Sequence, residues 1–241
     1  MPSKPAVTSK PRALRAVFLD AGNTLFYENP SRFEVYAAQA RDLGLPVDDR
    51  AVRRAMGAAH DRLPWVAGER VRYTEAWFRH YVPAVYRDLG ATEEMTRDLT
   101  DRLLVRFRET AKFHLFPETL EVLDAIRERG LTLCVVSNWS PRLTKHLDAL
   151  GLSARFDRVW ISAVVGLEKP APAFFEHACR ELGIGPDEAV HVGDHPVKDV
   201  AGARAAGIRA FLIDRDGEST APDVDALRSL RELLPQIDLW R

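Results

Sequence analysis

Residues 16–25 read Ala16-Val17-Phe18-Leu19-Asp20-Ala21-Gly22-Asn23-Thr24-Leu25. The first four are uniformly apolar, with a β-branched and an aromatic member, and the run is too short for a helix. That pattern predicts a strand buried on both faces. It stops on a carboxylate, and Gly22-Asn23 then supplies turn chemistry. Similar runs stand at 131–136, 159–161, 189–192 and 210–213. Between the later ones lie segments with helical spacing, such as Leu120, Leu123 and Ile126 before Gly130, a glycine suited to a helix end. Strands alternating with helices predict an α/β fold with a doubly wound parallel, Rossmann-like sheet.

Residues 27–112 break this rhythm. Apolar and aromatic residues recur there at helical spacing, predicting helices over 32–43, 49–63, 74–89 and 92–109, separated by Pro46, Pro64 and Gly90. The expected organisation is a flexible tail at 1–12, a core at 13–26 and 113–241, and a helical insertion at 27–112. No internal repeat is visible.

A chain of 241 residues with 46% hydrophobic composition can bury a substantial core. Its 34 basic and 35 acidic residues leave a net charge of -1, which provides no overall field for nucleic acid or an anionic membrane. Any anion must be bound locally. Cys134 and Cys179 lack metal-ligand spacing and read as buried thiols. The first twelve residues carry no apolar segment of the signal-peptide kind, so the expected location is a reducing cytoplasm.

Ligands of open parallel sheets bind outside the carboxyl ends of the strands. Four predicted ends are chemically loaded: Asp20 with Gly22, Asn23 and Thr24; Ser137-Asn138; Glu168-Lys169-Pro170; and Gly193-Asp194-His195, with Asp199 shortly after. Together they offer a carboxylate nucleophile, hydroxyl and amide donors, a cation, and further carboxylates able to hold a hard metal ion. Phosphoryl transfer needs such a set, because charge spreads over the transferred oxygens while a nucleophile attacks in line. Each piece alone has a plainer explanation. Asp20 and Asn23 can form a turn, Ser137 or Ser140 can cap a helix near Pro141, and Asp194 can cap a helix running to Gly207. Lys169 can be a solvated lysine. Four loaded ends in one chain outweigh these separate readings.

In this order the residues resemble the motifs of the haloacid dehalogenase-like superfamily, in particular the subfamily with a helical cap inserted after the first motif. The resemblance spans residues 13–214. It implies that Asp20 becomes a covalent aspartyl-phosphate, that Thr24, Ser137 and Lys169 contact the phosphoryl group, and that Asn138, Gly22 and Asn23 line the substrate. Asp20, the Gly22 carbonyl and Asp194 would hold Mg²⁺, with Asp199 supporting the metal shell or Lys169. The substrate would be a small phosphorylated metabolite.

The sequence departs from that pattern at one place. Phosphatases of the superfamily carry a second Asp, the general acid and base, where this chain has Gly22. General acid–base catalysis contributes about 10²–10⁴-fold, so the expectation is a slow, leaving-group-sensitive phosphatase. His195 is the candidate replacement proton carrier, with surface polar filler as its plain alternative. Two other branches lack the second Asp. Dehalogenases of the superfamily need no magnesium and carry Tyr there, whereas Asp194 and Asp199 keep the phosphatase-like acidic pair. Phosphonate cleavage needs a cap lysine, and the insertion holds none before Lys112. A non-catalytic phosphate-sensing or protein-binding module is the remaining alternative. Arg53, Arg54, Arg70, Arg72 and Arg79, with Trp65, Tyr73, Trp77, Phe78 and Tyr81, can clamp an anionic substrate or form a solvated helical face with aromatic core contacts.

Overall fold

The computed structural model describes residues 13–63, 66–67, 70–106, 113–219, 221 and 223–240. The tail at 1–12, Pro64, Trp65, the side chain of Arg70, residues 107–109 of the fourth predicted helix, and Lys112 lie outside that description.

Among the described residues ten strands form in chain order: β1 Ala16–Leu19, β2 Phe26–Glu28, β3 Val66–Ala67, β4 Arg70–Val71, β5 Phe113–Leu115, β6 Thr132–Ser137, β7 Arg158–Ile161, β8 Ala189–Gly193, β9 Arg209–Ile213 and β10 Ala226–Leu227. Six of them make one parallel sheet in the order β10-β9-β8-β1-β6-β7. All five predicted strand runs are in it. The two-residue edge strand β10 is too short to leave a periodic signal.

Alternation along β1 divides the core. Val17 and Leu19 face one cluster with Leu133, Val135, Val190 and Val192, covered by helix Thr119–Glu128 and the C-terminal helix Leu233–Asp238. Ala16 and Phe18 face a second cluster with Cys134, Val136 and Leu212, covered by helix Pro172–Leu182 through Phe174, Phe175 and Ala178. Burial on both faces explains why each strand reads as a continuous apolar run. Of the three residues cited for helical spacing, one lies off the buried face. In Thr119–Glu128 the buried stripe is Thr119, Val122, Leu123 and Ile126, while Leu120 is exposed.

The strand order reverses at β1, with β6 on one side and β8 on the other. Such a switch point opens a crevice at the strand carboxyl ends. The segment after β1 departs there into the helical insertion, through an antiparallel ribbon that pairs β2 with β5. The insertion contains α1 Arg32–Asp42, α2 Asp49–Arg62, α3 Glu75–Asp88 and α4 Glu93–Arg106. Their starts are chemically specified: Ser31 and Glu34 form a capping box, and Asp48 and Thr74 accept from Ala51 and Trp77 backbone N–H groups. These helices pack on a core of their own, centred on Tyr36, Val52, Trp77, Val85, Tyr86, Leu99 and Leu103. The reading as helices alone needs one amendment, since β3 and β4 form a two-stranded pair between α2 and α3. Among the described residues no helix is long and apolar enough to cross a membrane.

Candidate active site

Asp20 stands immediately beyond β1, its backbone N–H bonded at 2.9 Å to the Val192 carbonyl of β8. The chain then turns sharply: Leu25 N–H reaches the Ala21 carbonyl at 2.9 Å, and Asn23 adopts a left-handed φ of 56°, which asparagine tolerates. This turn carries Thr24 into the interior, where its hydroxyl is buried with no hydrogen-bond partner among the described residues. The same holds for Ser137, at the end of the neighbouring strand β6. Two buried hydroxyls without partners beside a strand-end carboxylate are costly unless a ligand uses them.

Lys169 joins the site from the loop after β7. Asn138 holds that loop: its Oδ1 accepts from Lys169 N–H at 2.9 Å and its Nδ2 donates to the Lys169 carbonyl at 2.8 Å. Both polar groups of Asn138 thus serve to place Lys169. The buried Lys169 ammonium donates to Asp20 Oδ1 at 2.6 Å and Asp199 Oδ1 at 2.5 Å. Burial alone would push this lysine down, but Asp199 and Asp20 outweigh it and raise it above the ordinary lysine range.

Asp199 is fully engaged. Its Oδ1 also accepts from His191 Nε2 at 3.0 Å, and its Oδ2 accepts from His195 N–H at 3.0 Å. Burial would raise this carboxyl, yet the Lys169 ammonium and the His191 hydrogen bond hold it below the usual carboxylate range. Burial lowers the affinity of His191 for a proton, against the hydrogen bond and charge of Asp199. The close approach of Asp199 to the strand end requires Gly193, where a Cβ would lie 2.6 Å from that of Asp199.

Asp194 completes the group. Oxygens of Asp20, Asp194 and Asp199 all lie within 4.8 Å of one another. Burial and the charges of Asp20 and Asp199 push Asp194 up to about 7, against a hydrogen bond from Asn23 Nδ2 at 3.0 Å. One ammonium among three carboxylates leaves an excess of negative charge.

His195, the candidate proton carrier, has one ring nitrogen engaged by the backbone. Its Nδ1 accepts from Val197 and Lys198 N–H groups, both at 3.2 Å, capping the helical turn Pro196–Ala201. Burial and Lys198 lower its affinity for a proton. The insertion reaches the site through Arg72, which bonds Glu168 at 2.5 Å and the Leu63 carbonyl at 2.6 Å.

The sequence reading missed two residues here. His191 carried a signal, as an ionisable residue inside the buried run 189–192. Trp139 carried none beyond following Ser137-Asn138, yet its ring packs against Gly22.

The family model for haloacid dehalogenase-like hydrolases matches residues 14–207, which include every one of these site residues. The chain belongs to the haloacid dehalogenase-like hydrolases. It is 31% identical over 237 residues to haloacid dehalogenase-like hydrolase domain-containing protein 3 of Mus musculus, covering 94% of each chain. Over 167 residues it is 37% identical to a phosphoserine phosphatase of Thermus thermophilus, covering 66% of each. Among solved structures, an L-2-haloacid dehalogenase superposes with a TM-score of 0.68 at 28% identity, over 94% of this chain and 99% of that one. This member of the family is therefore a hydrolase with a Rossmann-like core, and its relatives include both phosphatases and dehalogenases.

Proposed function

We propose that this hydrolase is a magnesium-dependent phosphatase of small phosphorylated metabolites, working through an aspartyl-phosphate on Asp20. The observation that carries the reading is Asp194. A halide-displacing site has no use for a third carboxylate held beside Asp20 and Asp199 against their mutual repulsion, whereas a site built for a hard cation does. The donor set fits such an ion: Asp20 and Asp194 offer carboxylate oxygens close together, the Gly22 carbonyl would join them as the family resemblance implies, and Asp199, already hydrogen-bonded through both oxygens, would support the site. Bound there, Mg²⁺ would offset negative charge on the phosphoryl oxygens.

The protein groups have separate tasks. Lys169 occupies Asp20 Oδ1 and leaves the other oxygen for in-line attack on phosphorus, which forms the Asp20–O–P bond and breaks the bond to the leaving oxygen. Lys169, Thr24 and Ser137 then donate to the transferred oxygens. Water attacks phosphorus in the second step and releases phosphate and Asp20. Gly22 provides neither a proton for the leaving oxygen nor a base for that water. Acyl and aryl phosphates, which depart with little protonation, are the favoured substrates. The helical insertion acts as a cap that controls access, with Arg72 on Glu168 as one closing contact. The phosphoserine phosphatase relative supports the reaction class.

The test is a panel of acyl, aryl, alkyl and sugar phosphates with and without Mg²⁺, with Asp20→Asn as control. Metal-dependent release of phosphate that Asp20→Asn abolishes is the expected result. Full activity after verified metal removal would return the dehalogenase reading. Binding of Mg²⁺ and phosphate analogues without turnover on any substrate would favour a sensing role.

A further inference from the structure

We propose that Trp139 is a specificity-determining residue that keeps position 22 closed to an acid–base side chain. The proposal rests on the phosphatase reading and deepens it. A Cβ on Gly22 would lie 2.7 Å from Trp139 Cζ3 and 3.2 Å from Cη2, inside the contact distance that real side chains keep. The vacated space is filled by indole rather than by solvent.

The ring is held from several directions. Phe26 and Phe113 pack at centroid distances of 5.7 and 6.0 Å, and His146 at 6.3 Å. Its backbone is fixed as well: the Trp139 main-chain N–H donates to Ser162 Oγ at 3.1 Å, and the Trp139 carbonyl accepts from Ala163 N–H at 3.4 Å. The Arg32 guanidinium, from the start of α1, lies 5.8 Å from the ring centre. The ring is half-buried, and moving it aside breaks its contacts with Phe26 of β2 and Phe113 of β5. Trp139 and Gly22 therefore form one complementary pair, and the loss of the carboxylate is built into the packing. The indole thus stands where an acid–base side chain would otherwise sit, which restricts turnover to leaving groups that depart unprotonated.

The experiment compares wild type, Gly22→Asp, Trp139→Ala and the double variant, all full-length with Mg²⁺, on acetyl phosphate, 4-nitrophenyl phosphate and glycerol phosphate. Gly22→Asp alone should give no gain on glycerol phosphate, nor should Trp139→Ala. The double variant should turn it over at least about 10-fold faster than wild type, the lower part of what a general acid contributes. Parallel thermal unfolding reads the pair without activity. Gly22→Ala should lower the midpoint by about 2–10 °C in wild type through overpacking, and by much less beside Trp139→Ala. The proposal is overturned if Gly22→Asp alone gains as much as the double variant, or if Gly22→Ala costs the same in both backgrounds. Failure of wild type on all three substrates, with the unfolding cycle as expected, would instead count against the phosphatase reading while leaving the Trp139–Gly22 pair standing.

Discussion

Replacing Lys169 by methionine removes the ammonium from between two buried carboxylates at 2.6 and 2.5 Å while keeping most of the side-chain volume. Breaking a buried ion pair by deleting one partner costs about 3–5 kcal/mol. At about 2–4 °C per kcal/mol for a chain of this size, the expected fall in melting temperature at pH 7.5 without metal is about 6–20 °C. The pH dependence has a definite direction. In wild type Asp199 lies below its unfolded value, so its contribution is present above the ordinary carboxylate range and is lost on strong acidification. In Lys169→Met only the hydrogen bonds from His191 and His195 oppose burial, so Asp199 rises relative to wild type and its ionisation becomes a cost that protonation relieves. The deficit of the variant must therefore be greatest near neutral pH and shrink toward pH 5. Added Mg²⁺ should recover part of it. Turnover should fall by about 10²–10³, the loss found when a donor to a developing charge is deleted. The assays are thermal unfolding from pH 5 to 8 and phosphate release. A variant within about 1 kcal/mol of wild type at pH 7.5, with a deficit that does not change with pH, would refute the view that Lys169 balances Asp20 and Asp199.

Chelation should abolish phosphatase activity, and Asp194→Asn should remove Mg²⁺ binding measured by calorimetry. Without metal, Asp194 pushed up to about 7 means that the folded state holds a proton the unfolded chain has released, so stability should fall as pH rises from about 4 to 7, and Asp194→Asn should flatten that slope in thermal unfolding. Joining Glu28 to Phe113 by a short turn should leave a folded sheet that retains some chemistry but discriminates poorly among phosphorylated metabolites; unchanged selectivity would remove the insertion from substrate choice. Gly193→Ala should displace Asp199 and cost about 1–3 kcal/mol by overpacking, checked by urea unfolding, whereas a silent substitution would contradict the close contact described here.

The strands were legible because a doubly covered sheet demands uninterrupted apolar runs, and Asp20, Ser137 and Asp194 were legible because they close such runs, whereas Lys169 comes from the loop after β7. The helices of the insertion announced themselves by period and by caps such as Ser31 and Asp48. What escaped the sequence is tertiary. Leu120 has the same spacing as a core residue, and only the angle at which its helix docks turns it outward. The double anchoring of Lys169 by Asn138 and the capping task of His195 depend on directions of side chains that a linear motif does not carry. Trp139 meets Gly22 across two different loops, more than a hundred residues apart in the chain, and its meaning lies in the space that it fills rather than in any group it offers.

The ribbon of β2 and β5 works as a socket. Both passages between the sheet and the helical unit are clamped side by side by Phe26–Leu115, Tyr27–His114 and Glu28–Phe113 pairing. The sheet therefore meets the same two neighbouring ends whatever is plugged between them. Closing a flexible loop costs only about 0.6 kcal/mol more for each doubling of its length, so the helical unit can be lengthened, trimmed or exchanged with little consequence for the strands that carry Asp20 and Ser137. On the function proposed above, selection is free to redesign the part assigned to the variable end of a substrate while the part assigned to the phosphoryl group stays fixed. A family built on such a socket can diversify its substrates one plug at a time.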